Sequence, residues 1–207
     1  MDLYVFDLDK TLITADSYDL WHEYLHELGI LGADFIKEND KMIELYDRGE
    51  LDMLEYLEFS VQSLSKLSVN EIENLMPKFL KTKIEPIVRP QTKKWLAQGP
   101  NLVLSATPIY VVAPVAKLLG AQSAIGVNLE VANDHYTSKF IPPLSYQAGK
   151  IDALKKWMSE REISAKVHFY TDSINDLPMC EFADFVTCVE PDAKLREIAL
   201  QKDWEIV

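Results

Sequence analysis

Hydrophobic positions change period twice along the chain. Leu3-Tyr4-Val5-Phe6 is a short apolar run of strand formers that stops at Asp7, the signature of a strand buried on both faces of a parallel sheet. From about Ser17 to Ile84 the spacing becomes helical. Leu20, Tyr24, Leu25 and Leu28 make one stripe, Phe35, Met42, Ile43 and Tyr46 another, and Leu54, Leu57, Val61 and Leu64 a third. Ser68-Val69-Asn70-Glu71 fits a capping box that opens a fourth helix, with Ile72, Leu75, Phe79 and Leu80 facing inward. Pro77 lies within that helix and predicts a kink or break.

Beyond Pro90 strands and helices alternate. Strands are expected at 102–104, 167–171 and 185–187, and helices at 110–119, 150–158, 176–182 and 193–200. Gly120 can end the first of these helices. Residues 127–140, with Asn133-Asp134 at the middle, read as a small hairpin. The pattern is that of an α/β fold with a parallel sheet, interrupted just after its first strand by an all-helical insertion.

In such sheets ligands bind at the carboxyl ends of the strands. The polar residues at those ends are Asp7 and Asp9, then Ser105, then Asp172 and Asp176, with Lys150 opening a helix between them. Several carboxylates converging on one crevice need a compensating cation. Oxygen ligands without a His or Cys cluster favour Mg²⁺. A carboxylate can also act as a nucleophile toward phosphorus, with the metal, Lys150 and backbone amides near Ser105 neutralising the transferred group.

These residues carry a resemblance. Asp7-Leu8-Asp9-Lys10-Thr11 resembles the DxDxT motif of the haloacid dehalogenase (HAD) superfamily. Leu104-Ser105-Ala106-Thr107, Gly149-Lys150 and Thr171-Asp172-Ser173-Ile174-Asn175-Asp176 are similar to its second, third and fourth motifs, in the family's order. Thr171 departs from the pattern, since Gly usually precedes the metal-binding Asp. The insertion and Asn175-Asp176-Leu177-Pro178 make the chain look like the phosphoserine phosphatase-like subfamily IB. The resemblance implies a Rossmannoid three-layer core with a parallel sheet, formed by residues 1–15 and 86–207, and a helical C1 cap at 16–85.

It also implies roles: Asp7 as nucleophile and Asp9 as acid and base, with Mg²⁺ held by Asp7, Asp9, Asp172 and Asp176, the last also able to orient Lys150. Ser105, Ala106 and Lys150 would bind the phosphoryl group, and Asp16 falls where a cap-hinge acid meets substrate. The implied activity is Mg²⁺-dependent hydrolysis of a small phosphomonoester through an aspartyl phosphate. The alternatives are a phosphotransferase or mutase on the same scaffold, and a receiver-like phospho-switch, which lacks a helical insertion.

Charge sharpens the substrate expectation. The 207 residues carry a formal net charge of −12. Residues 16–60 alone hold thirteen acids against three bases, so the acidity is concentrated in the insertion. Such a balance argues against nucleic acid as a partner. It suits an amino-bearing ester such as phosphoserine or histidinol phosphate, both substrates among similar proteins.

Arg48 and Arg89 are candidates to meet a substrate carboxylate, though each is expected to pair with a neighbouring acid. His22 and His26 have metal-like i, i+4 spacing but no third ligand, and read as exposed cap histidines. Cys180 and Cys188, the only cysteines, read as buried thiols. No apolar run approaches the roughly 20 residues of a membrane span. The opening residues lack a secretory signal, so the expectation is a cytoplasmic protein without membrane or nucleic-acid partners. Oligomeric state is not legible.

Overall fold

The computed structural model describes residues 1–207. Seven strands form one sheet: β1 (Asp2–Phe6), β2 (Asn101–Pro108), β3 (Ala124–Ala132), β4 (His135–Ile141), β5 (Lys166–Thr171), β6 (Phe185–Cys188) and β7 (Glu205–Ile206), in the order β4-β3-β2-β1-β5-β6-β7. All neighbours run parallel except β3 and β4, which are antiparallel. β1 is central, which explains why its apolar run does not alternate.

Leu3 and Val5 face one side, with Leu102, Leu104 and Phe169. They pack against α7 (Gly149–Glu160), α8 (Leu177–Phe182) and α9 (Ala193–Gln201). Phe6, Val103 and Tyr170 face the other side. There they join α1 (Ser17–Glu27), α4 (Val69–Phe79) and α6 (Ile109–Leu119) in one continuous apolar cluster. The result is the α/β fold expected from the alternation, in the three layers that the resemblance implies.

The other inserted helices are α2 (Ala33–Arg48) and α3 (Met53–Ser60), and the chain returns through α5 (Thr92–Leu96). An antiparallel bridge between Ile13 and Val88 ties the two crossings into and out of the insertion. Trp21 of α1 and Phe79 of α4 meet edge to face, 5.2 Å between ring centroids, inside the cluster shared with the sheet. The insertion therefore shares apolar packing with the sheet as well as covering its edge.

Several expectations are refined. The Ser68–Glu71 capping box is present in both directions. Helical structure runs through Pro77 to Phe79, and the change of path comes three residues later, as a π turn over Leu80–Ile84. Asn133 and Asp134 both adopt left-handed backbone, as a two-residue hairpin turn requires. The hairpin is not a separate unit: β3 joins the main sheet by parallel pairing with β2. No helix is long and apolar enough to cross a membrane.

Candidate active site

The amide of Asp7 donates to the Tyr170 carbonyl at 2.9 Å, extending the β1–β5 ladder by one residue and leaving the Asp7 side chain at the sheet's carboxyl edge. The chain then turns sharply. The amides of Thr11, Leu12 and Ile13 all point to the Leu8 carbonyl, and Lys10 adopts φ +55°. Buried Leu8 and Leu12 anchor this turn to the apolar cluster. The turn aims the Asp9 carboxylate at the start of α1, where it accepts from the Ser17 amide at 2.6 Å and the Thr107 hydroxyl at 2.9 Å. The Ser105 hydroxyl lies 3.4 Å away on the same carboxylate oxygen. Asp16 caps α1, with one oxygen accepting the amides of Tyr18 and Asp19.

Lys150 comes from the start of α7. Its ammonium is buried and lies 2.7 Å from Asp7 and 2.6 Å from Asp176. Asp176 also accepts from the Thr171 hydroxyl at 2.7 Å. Its carboxylate thus makes no cap hydrogen bond to the short helix that follows. Thr171, the departure from the family pattern, supplies a donor that glycine could not. Asp172 accepts from Thr11 at 3.1 Å. The structure gathers Asp7, Asp9, Ser105, Lys150, Asp172 and Asp176 at one edge of the sheet; Asp7, Asp9, Asp16 and Asp172 line a cavity of about 400 Å³ there, while Ser105, Lys150 and Asp176 are buried and do not line it. Ala106 lines a narrow apolar recess beside it, with Tyr18, Tyr46 and Tyr56.

Burial dominates the electrostatics. It raises Asp7 to about 6; Lys150 opposes the shift and Asp176 adds to it. Burial, then the charges of Asp16 and Asp7, raises Asp9 to about 7. Asp172 is pushed well up by burial and by Asp7 and Asp176. For Lys150 burial works against the charged form, but Asp176 and Asp7 outweigh it and the ammonium is held above its ordinary range.

This donor set fits Mg²⁺. Asp172 is a buried carboxylate beside like charges with one hydroxyl as its side-chain donor, and the Asp9 carbonyl accepts no backbone hydrogen bond. No three His, Cys, Asp or Glu side chains close into a cage of their own. Mg²⁺ does not need one, since it is commonly held by one or two carboxylates, water and substrate phosphate.

Other expectations divide. Arg48 pairs with Glu50 at 3.4 Å and lies outside the cavity, while Arg89 lines the cavity and pairs with Glu190 at 2.8 Å. His22 is not an exposed histidine. It is fully buried, between Tyr18 at 4.4 Å and Phe35 at 5.1 Å, and neither ring nitrogen has a partner. His26 is exposed and bonds the Leu31 carbonyl at 2.7 Å, so the two do not form a metal pair. The inward stripe of α1 includes Trp21, Leu25 and position 22, which spacing between histidines does not reveal. Cys180 and Cys188 are buried and free.

The sequence assigned no role to Thr107, Thr11 or Asn175. Thr107 was detectable, because strand alternation puts it on the same face as Ser105. Thr11 and Asn175 lie within the quoted motifs without an assigned role, and the donation of the Asn175 side-chain amide to the Tyr46 carbonyl at 2.9 Å had no signal, since that partner lies 129 residues away.

Comparison with known proteins agrees with this architecture. Residues 4–181 match the family model of the haloacid dehalogenase-like hydrolases. The chain is 33% identical to a histidinol-phosphatase of Neisseria meningitidis serogroup C (strain 8013), over all of this chain and 98% of that one. It is 27% identical to a phosphoserine phosphatase of Mycobacterium tuberculosis, over 97% of this chain and 68% of that one.

Among solved structures, a protein of unknown function from Bordetella pertussis Tohama I superposes with a TM-score of 0.91 at 30% identity, over all of this chain and 97% of that one. A phospho-aspartyl intermediate analogue of phosphoserine phosphatase shares the fold, with a TM-score of 0.69 at 19% identity, over 99% of this chain and 91% of that one. The chain belongs to the haloacid dehalogenase-like hydrolase family, and the two curated relatives named here carry the names of phosphatases.

Proposed function

We propose that this hydrolase is a Mg²⁺-dependent phosphomonoesterase with Asp7 as nucleophile, residues 1–15 and 86–207 as its catalytic core and 16–85 as its cap. The observation that carries the reading is the buried Lys150 ammonium, held between Asp7 and Asp176 next to an Asp9 carboxyl raised to about 7. An oxygen of Asp7 attacks phosphorus, the bond to the leaving oxygen breaks, and Asp9 gives that oxygen its proton. Asp9 then takes a proton from water as the water attacks the aspartyl phosphate, releasing inorganic phosphate and restoring Asp7.

Lys150, the Ser105 hydroxyl and the backbone at Ala106 bind the phosphoryl oxygens, and Asp176 with Thr171 holds Lys150 in place. Asp7, Asp172 and the Asp9 carbonyl would hold Mg²⁺, with Asp176 behind them. There the ion would supply positive charge for the phosphoryl oxygens.

The substrate is a small ester bearing an amino group. Histidinol phosphate and phosphoserine are the two candidates that the relatives' names offer, and of these only phosphoserine carries a carboxylate. One Asp16 oxygen is used in capping α1, and the other is left for an ammonium in the cavity. The test is turnover of a chromogenic aryl phosphate with Mg²⁺ by Asp7→Asn. Loss of about a thousandfold or more is expected, and wild-type turnover would contradict the assignment.

A further inference from the structure

We infer that the cavity is closed to substrates carrying a carboxylate, and that Glu190 is the residue that closes it. The inference deepens the proposed phosphatase reading and rests on it. A carboxylate on the leaving group needs a cation that is not already neutralised. The cavity lining offers two, Lys10 and Arg89, while Lys150 is buried outside the lining between Asp7 and Asp176. Lys10 pairs with Asp47 of α2 at 2.9 Å. Arg89 gives one terminal nitrogen to both Glu190, at 2.8 Å, and the Lys10 carbonyl, at 2.9 Å.

The remaining charged lining is acidic. It includes Asp16 and Asp192, and Asp192 is fully engaged by the amides of Ile174, Lys194 and Leu195. A substrate carboxylate arriving here meets several carboxylates and finds both lining cations paired, a juxtaposition that costs binding. A substrate ammonium meets Asp16 without such a cost.

Glu190 and Arg89 differ in a way that makes Glu190 the controlling partner. The Arg89 side chain is 10% exposed and that of Glu190 is 69% exposed. Arg89 is therefore fixed, with its Nε buried and unpartnered, while the acid that neutralises it stands at the rim. Removing the charge of Glu190 leaves a buried guanidinium at the cavity wall without its compensating carboxylate, free to attract another. The same fold would then hold a carboxylate site. Discrimination between a phosphorylated amino alcohol and a phosphorylated amino acid lies in this pair.

The test uses two esters that differ only by the carboxylate, O-phosphoethanolamine and O-phosphoserine, with an aryl phosphate as reference, all with Mg²⁺. In the wild type, kcat/KM for O-phosphoethanolamine is expected to exceed that for O-phosphoserine by about tenfold or more. Glu190→Gln is expected to raise the O-phosphoserine value and shrink that ratio while aryl phosphate turnover stays unchanged. Equal or preferred use of O-phosphoserine by the wild type would overturn the inference. So would an unchanged ratio in Glu190→Gln, or turnover of the aryl ester with neither amine ester accepted. Loss of wild-type turnover on all three esters would instead contradict the phosphatase reading, and this inference with it.

Discussion

The Lys150 ammonium lies 2.7 Å from an Asp7 carboxylate oxygen, across 143 residues of sequence and almost wholly out of solvent. Asp7 follows the first strand and Lys150 opens the seventh helix, so this contact depends on the sheet order and helix crossover placing both at one edge. Their mutual charge, with that of Asp176, makes their burial tolerable.

Lys150→Met would leave Asp7 and Asp176 buried and uncompensated. A destabilisation of about 3–5 kcal/mol is expected from urea unfolding, together with loss of phosphatase turnover. Wild-type stability in that variant would mean that the carboxylates take up protons without cost.

Gly149→Ala tests how Lys150 is positioned. A Cβ at residue 149 would overlap the Leu144 carbonyl oxygen, backbone that cannot move aside as a side-chain tip can. The start of α7 must shift, and with it the ammonium. A loss of at least about 1 kcal/mol of stability and a clear drop in kcat are expected, whereas unchanged kcat would show that α7 absorbs the methyl group elsewhere.

Thr107→Val removes the hydroxyl that donates to Asp9 at 2.9 Å and leaves a side chain of similar shape. A fall in kcat of roughly tenfold, for a hydrogen bond worth about 1–2 kcal/mol, is expected with little change in KM. Equal activity would mean that the Ser17 amide and the Ser105 hydroxyl suffice to fix the Asp9 carboxylate.

His22 gives the cap region an acid sensitivity. Burial lowers its pKa to about 3, against an ordinary value of 6.5. Between those values the unfolded chain binds a proton that the folded chain refuses. The stability associated with neutral His22 is therefore present above pH 6.5 and is lost as pH falls toward 3. The slope is up to about 1.4 kcal/mol per pH unit. Urea unfolding of the wild type and His22→Phe at several pH values should show the difference in stability moving toward the variant by about that amount per unit below pH 6.5. Parallel curves would contradict it.

Local pattern made much of this legible. Phe6 followed by Asp7 marks where a buried strand ends in polar residues, and Leu104 followed by Ser105 marks where polar residues enter β2, which runs on past the expected 102–104 to Pro108; parallel topology brings the two places together. The hairpin turn at Asn133-Asp134 and the capping box at Ser68 could be read because their physics is contained in a few neighbouring residues.

What escaped depends on distant partners or very short elements. β7 has two residues, too few to alternate, and β3 joins the sheet through pairing that its own sequence does not encode. His22 is buried because of how α1 rolls onto its neighbours. Arg89 and Glu190 are 101 residues apart, so their pairing, and the fate of a cation that the sequence could offer to substrate, appears only in three dimensions.

The central claim is that Asp7 carries the phosphoryl group. The direct measurement is a single turnover with Mg²⁺, quenched in acid, followed by peptide mass spectrometry of the trapped protein. The account expects a hydroxylamine-labile phosphate on Asp7 that forms and decays at rates compatible with turnover. A phosphate on Asp9, or turnover at the wild-type rate with no covalent adduct, would contradict it.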